Sequence, residues 1–149
     1  MPRLVLFAAC EKAFVDQQTN VLSLMSLLQD INVQIPPGTI VASNAAIPMH
    51  WAVVSMFQPT PEDKGKTYEH RTTLIDNAGA MKLETPISPF ELKTDPHRII
   101  GQINGMPIGS EGAHEVNCLI REKGASDWKE IASYPIAVKW VAVVNPTIH

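Results

Sequence analysis

Residues Ala113–Glu122 alternate strictly, with His114, Val116, Cys118 and Ile120 on one side of the chain and Glu115, Asn117 and Arg121 on the other. A period of two belongs to a half-buried strand, because successive side chains of an extended chain point to opposite faces. Comparable segments recur along the sequence, cut at near-regular intervals by Pro, Gly and Asn. Met49–Phe57 puts Trp51, Val53 and Phe57 on one face and Ala52, Val54 and Met56 on the other. Lys66–Ile75 aligns Tyr68, His70, Thr72 and Leu74, and His97–Ile103 and Glu130–Val144 also read as strands. Arg3–Phe14 is apolar on both sides as far as Glu11, the pattern of a central strand.

The breaks have their own chemistry. Asp76-Asn77-Ala78-Gly79 predicts a tight hairpin into Ala80–Thr85. Pro59–Gly65 and Lys123–Asp127 are polar turns, Asn104–Gly112 is a Gly-rich turn and Gly38–Pro48 is a loop. Pro86–Pro96 reads as a long connection crossing between sheets, and Pro135 marks an edge or a bulge in the last strand. Val21–Ile35 is ambiguous, since its apolar spacing up to Ile31 also fits one face of a helix. The strict alternation from Ile31 to Ile35, ended by Pro36-Pro37-Gly38, favours one long strand with a bulge. The expected fold is all-β: a two-sheet antiparallel β-sandwich, Ig-like or C2-like in outline. It has seven to nine strands, little or no helix, and one domain over residues 1–149.

Composition narrows the function classes. The apolar fraction of 45% and charged fraction of 18% describe a folded globule rather than a disordered segment. A net charge of −3 and scattered basic residues argue against nucleic acid or an anionic membrane as the main partner. No apolar run approaches the ~18 residues of a membrane span, so a soluble protein is expected. Leu4–Ala9 ahead of Cys10 superficially resembles a lipoprotein signal, but it falls short of the roughly 7–15 residues of an export core and reads as the first strand. Cys10 and Cys118 are then expected to be reduced, buried thiols of a cytoplasmic protein.

The order of these signals resembles an uncharacterised bacterial family of small β-sandwich proteins. The matching residues are Phe7-Ala8-Ala9-Cys10-Glu11, the polar turn Asp16–Asn20, Val21-Leu22-Ser23-Leu24 and Ile35-Pro36-Pro37. The closing segments His114–Ile120 and Ser133-Tyr134-Pro135-Ile136-Ala137-Val138 also match. The resemblance implies that Val21–Ile35 is β-structure. It implies no activity and no catalytic residue.

Site chemistry is sparse. His50, His70, His97, His114 and His149 include no pair at HxH or HxxxH spacing, and Cys10 and Cys118 form no CxxC. Strands can still converge, so a metal or small-molecule site built from His70, His114 and loop carboxylates is the alternative reading. No GxSxG or GxGxxG is present, and Glu62-Asp63 beside Lys64 reads as a solvated turn. Trp51 and Trp140 lie in apolar strands and are expected in the core, whereas Trp128 sits in a hairpin as a possible contact residue. The apolar tail Trp140–His149 is expected to pack on its own domain or on a neighbouring subunit. The sequence therefore predicts no catalytic, metal or cofactor residue. It favours a non-enzymatic binding or structural module with a protein partner or a homo-oligomer, acting through sheet edges, loops or the C-terminal tail.

Overall fold

A computed structural model describes residues 1–143. Ten strands form two sheets that pack face to face, and the described residues contain a single 3-10 turn at Pro61–Asp63 and no α-helix. The strands are β1 (Arg3–Val15), β2 (Leu22–Leu27), β3 (Asp30–Ile35), β4 (Ala46–Gln58) and β5 (Thr67–Ile75). The chain continues through β6 (Met81–Glu84), β7 (Ser88–Glu91), β8 (His97–Pro107), β9 (Gly112–Glu122) and β10 (Lys129–Ala142). One sheet has the order β2-β1-β4-β8. The other runs β3-β10-β9-β5-β6, with β7 also paired to β5.

The all-β sandwich is as expected, with two differences of detail. The described residues hold ten strands, because Val21–Ile35 forms two of them and Pro86–Pro96 contains β7 before it crosses to β8 in the other sheet. One pair is parallel: β3 runs alongside β10, with Ile31 opposite Val138 and Val33 opposite Trp140.

That pair exists because Val21–Ile35 is not one bulged strand. It divides into β2 and β3, which belong to different sheets. Ser26, the last residue but one of β2, adopts φ 58°, a left-handed conformation uncommon for a non-glycine residue. The Leu28 N–H then donates to the Ala9 carbonyl at 2.9 Å, while the Gln29 carbonyl accepts from the Ala137 N–H at 2.8 Å. Two residues thus carry the backbone from one sheet to the other with its hydrogen bonds satisfied.

The core follows the alternation. Trp51, Val53 and Ile103 of one sheet meet Leu74, Val116, Ile136 and Val138 of the other, and Phe57, Tyr68, Phe90, Cys118 and Ile120 fill one end. The Trp51 indole donates to the Gly105 carbonyl at 2.9 Å, so this large side chain is buried with its one polar atom satisfied. Pro135 meets the expectation of an edge: it faces Glu115 of β9, while β3 pairs with β10 only from Ala137 onward. At the end of the sandwich, a Cβ on Gly109 would lie 2.1 Å from the Ser43 carbonyl oxygen, so only glycine lets the 38–45 loop close against this turn. No helix among the described residues is long and apolar enough to cross a membrane.

Candidate interaction surface

The sheet containing β1 has an outer face as well as a core face. Trp51 and Val53 point into the sandwich, so Ala52 and Val54 between them point away from it, and Cys10 lies opposite Ala52 on that outer side. An outer face would ordinarily be wet. Yet Cys10, Ala52 and Val54 are fully buried, covered by Ala13, Leu22 and Leu24 of the β1–β2 hairpin.

The hairpin is bent back over its own sheet. Glu11 and Ser26 are skipped where β1 and β2 pair, between the Cys10–Leu27 and Lys12–Met25 partners. The kink falls there, at the left-handed Ser26. The tip turn is closed by Asp16, whose Oδ1 accepts from the N–H groups of Gln18 and Thr19 at 2.8 and 3.0 Å. These bonds hold the Asp16 carboxyl below the usual carboxylate range. At the far end the Arg98 guanidinium of β8 donates to the carbonyl and side-chain oxygens of Asn20 at 2.9 and 3.3 Å. The hairpin thus spans from β1 across β4 to β8, as a third layer over the outer face.

Its covered side is apolar, and its open side is apolar apart from Lys12, which faces Met25 across the hairpin. Phe14, Val21, Met25 and Leu27 remain 49%, 56%, 50% and 53% exposed. Val5, in the stretch of β1 before the kink, is also exposed. From Val21 to Leu28 there is no charged residue and no proline, and β2 is the last strand of its sheet. Natural edge strands usually carry a lysine, a proline or a cover; here only the Ser26 kink blunts the edge.

A polar cluster lies in the interior. Ser55 Oγ of β4 is 3.3 Å from His70 Nε2 of β5 and 3.9 Å from Cys118 Sγ of β9. All three residues are buried. Phe57 meets the His70 ring edge-on at 6.2 Å, and Phe90 stacks between Phe57 and His97. Burial, with a smaller contribution from His97, pushes His70 down to about 4, so its imidazole is neutral at pH 7. Burial pushes the Cys118 thiol up to about 12, and burial also raises Cys10. A protonated thiol and a serine sealed between two sheets are not activated nucleophiles. The cluster ties the sheets together.

No protein-family model and no curated protein matches the chain.

The remaining sequence candidates are dispersed. His70 faces Ile120 across the β5–β9 ladder, and His114 lies six residues further along β9, about 20 Å away at ~3.3 Å per residue. The two histidines do not converge. Among the described residues, no three His, Cys, Asp or Glu side chains gather to hold a metal ion. His114 is buried, with Nδ1 2.9 Å from the Gly112 carbonyl, and its Nε2 has no partner among the described residues. Cys10 and Cys118 are both free and belong to different packing clusters on different sheets.

Trp128 is partly buried, held between the guanidinium groups of Arg71 and Arg121 at 4.6 and 4.2 Å, which are themselves paired with Glu84 and Glu69. Trp140 departs from its expected core position. It is 36% exposed at the end of β10, with its indole donating to the Ile108 carbonyl. The rest of the expected tail contact, at residues 144–149, lies outside the described residues.

Proposed function

We propose that this protein is a non-enzymatic association module whose working surface is the open side of the β1–β2 hairpin and the adjoining β2 edge. The observation that carries this reading is the two-sided hairpin: one apolar face is fully used within the chain, and the other serves nothing in it. A contiguous apolar patch of a few hundred Å² on a soluble chain marks an interaction site more often than chance exposure. The sealed, unactivated Ser55–His70–Cys118 cluster supports a reading without catalysis. Soluble cytoplasmic location and the likeness to the bacterial β-sandwich family belong to the same proposal.

The test separates use in the fold from use outside it. A variant carrying Val21→Ser, Met25→Ser and Leu27→Ser should melt within a few degrees of the parent chain, because these half-exposed side chains contribute little to folding. It should also bind much less of an apolar naphthalene-sulfonate dye. Loss of stability on the scale of a core substitution would show that the residues serve the fold, and the reading would fail.

A further inference from the structure

We propose that Asn104-Gly105, on β8, is a site of spontaneous chemical modification, where Asn104 loses its amide nitrogen and becomes an aspartyl or isoaspartyl residue. The Gly105 backbone nitrogen attacks Asn104 Cγ and gives up its proton. The new N–Cγ bond closes a cyclic imide, and the side-chain nitrogen leaves as ammonia. Water then opens the ring at either carbonyl, so the step needs no oxidant and no cofactor.

Three features favour the reaction here. Of the asparagines in the chain, Asn104 alone precedes a glycine, whose lack of a side chain leaves its nitrogen unhindered. The ladder also breaks at this peptide unit. Ile47 lies opposite Met106 and His50 opposite Asn104, so Gly105 has no partner in the β4–β8 register. Gly105 takes φ 88°, and a Cβ built on it would meet only the Ile47 carbonyl oxygen, at 3.9 Å. The unit is neither held in register nor crowded. Finally, β8 is the last strand of its sheet and Asn104 is exposed, so water reaches the amide.

The other asparagines lack this combination. Asn117 is buried, Asn20 is held by Arg98, and the Asn77 amide donates to the Glu111 carbonyl. Asn32 and Asn44 precede valine and alanine.

The modification has a structural consequence. The Gly105 carbonyl accepts the Trp51 indole N–H at 2.9 Å, and Trp51 is the largest fully buried side chain. An isoaspartyl link routes the main chain through Cβ, one atom longer, immediately before Gly105. That shifts the carbonyl and leaves a buried donor unpaired.

The test is peptide mapping by mass spectrometry of the full chain, aged for several weeks in mildly alkaline buffer beside a urea-unfolded sample. In the folded chain Asn104 should convert at least about tenfold faster than Asn32, Asn44 or Asn77. The melting temperature should fall as isoaspartate accumulates, while Asn104→Gln aged in the same way keeps its starting value. If Asn104 converts only in the unfolded sample, the folded edge protects it and the proposal fails. Conversion no faster than at Asn44 or Asn77 overturns it equally. Conversion with an unchanged melting temperature supports the site and overturns its coupling to Trp51.

Discussion

The β1–β2 and β9–β10 hairpins solve the problem of two faces in opposite ways. In β9 the inward residues His114, Val116, Cys118 and Ile120 are fully buried, while Glu115 and Glu122 are exposed and Arg121 is paired with Glu69. One face is core, and the other is largely polar, with Asn117 buried on it. In the β1–β2 hairpin both faces are largely apolar: Ala13, Leu22 and Leu24 cover the sheet, while Phe14 and Met25 are exposed beside Lys12, and Leu27 is exposed opposite Cys10. Strict alternation uses up a hairpin's apolar surface within its own sandwich. Two-sided patterning leaves a face over, and that face is where association is cheapest.

The largest expected contrast is in stability. Ile120→Ala empties a fully buried position between the sheets and should cost about 2–5 kcal/mol. Leu27→Ala, at a half-exposed position, should cost under about 1 kcal/mol in the monomer. Denaturant unfolding of both variants measures the gap; equal losses would mean that the outer hairpin face is already partnered within the chain.

The second contrast is with pH. His70 lies opposite Ile120, with its pKa near 4 in the folded chain against 6.5 when unfolded. Between those values the unfolded chain binds more protons, so stability falls as pH drops below about 6.5 and the loss is complete near pH 4. The loss should reach about 3 kcal/mol. His70→Gln, neutral throughout, should flatten that part of the pH profile; an unchanged slope would place the acid sensitivity elsewhere. The outer hairpin holds no histidine between Glu11 and Leu28, so an acid transition of this origin starts in the core.

The third is conformational. Ser26→Val puts a β-branched residue at φ 58° and should cost about 1–2 kcal/mol, whereas Ser26→Gly should be neutral or slightly stabilising. If valine is tolerated as well as glycine, the kink is not where the hairpin turns over its sheet.

These contrasts show which parts of the molecule were legible from residue order. The alternation at Ala113–Glu122 and Lys66–Ile75, and the turn at Asp76–Gly79, translate directly into β9, β5 and the β5–β6 connection, because each is decided by neighbours in sequence. Pro135 at a local edge was legible for the same reason. Val21–Ile35 was not. Its apolar residues suited a strand throughout, but they serve two sheets, and what divides them is the crossing at Leu28 and Gln29, whose backbone bonds go to different sheets. The signal was present in the patterning itself: Arg3–Phe14 and Val21–Leu28 are apolar on both sides, which suits a strand buried between layers as well as one at a surface. That the upper layer is the hairpin itself depends on the Arg98–Asn20 contact, 78 positions apart. Sequence spacing also gave no way to bring Ser55, His70 and Cys118 together or to keep His70 from His114, since register decides both.

The smallest effect is the most discriminating. Arg98→Ala removes two exposed hydrogen bonds at the hairpin tip and should lower global stability by no more than about 1 kcal/mol. Its action falls on the opening of the hairpin alone. Cys10 lies under the hairpin, whereas Cys118 lies between the sheets, so the two thiols report on different openings. If the hairpin lifts as a unit of its own, ~1 kcal/mol less holding it down should raise the rate at which a thiol reagent modifies Cys10 by roughly fivefold. Cys118 should keep its slow rate, set by separation of the sheets. Measuring the parent chain beside Cys10→Ser and Cys118→Ser variants assigns each rate. Equal acceleration at both thiols would mean that hairpin and sandwich open together, and the third layer would then be part of the core rather than a cover over it.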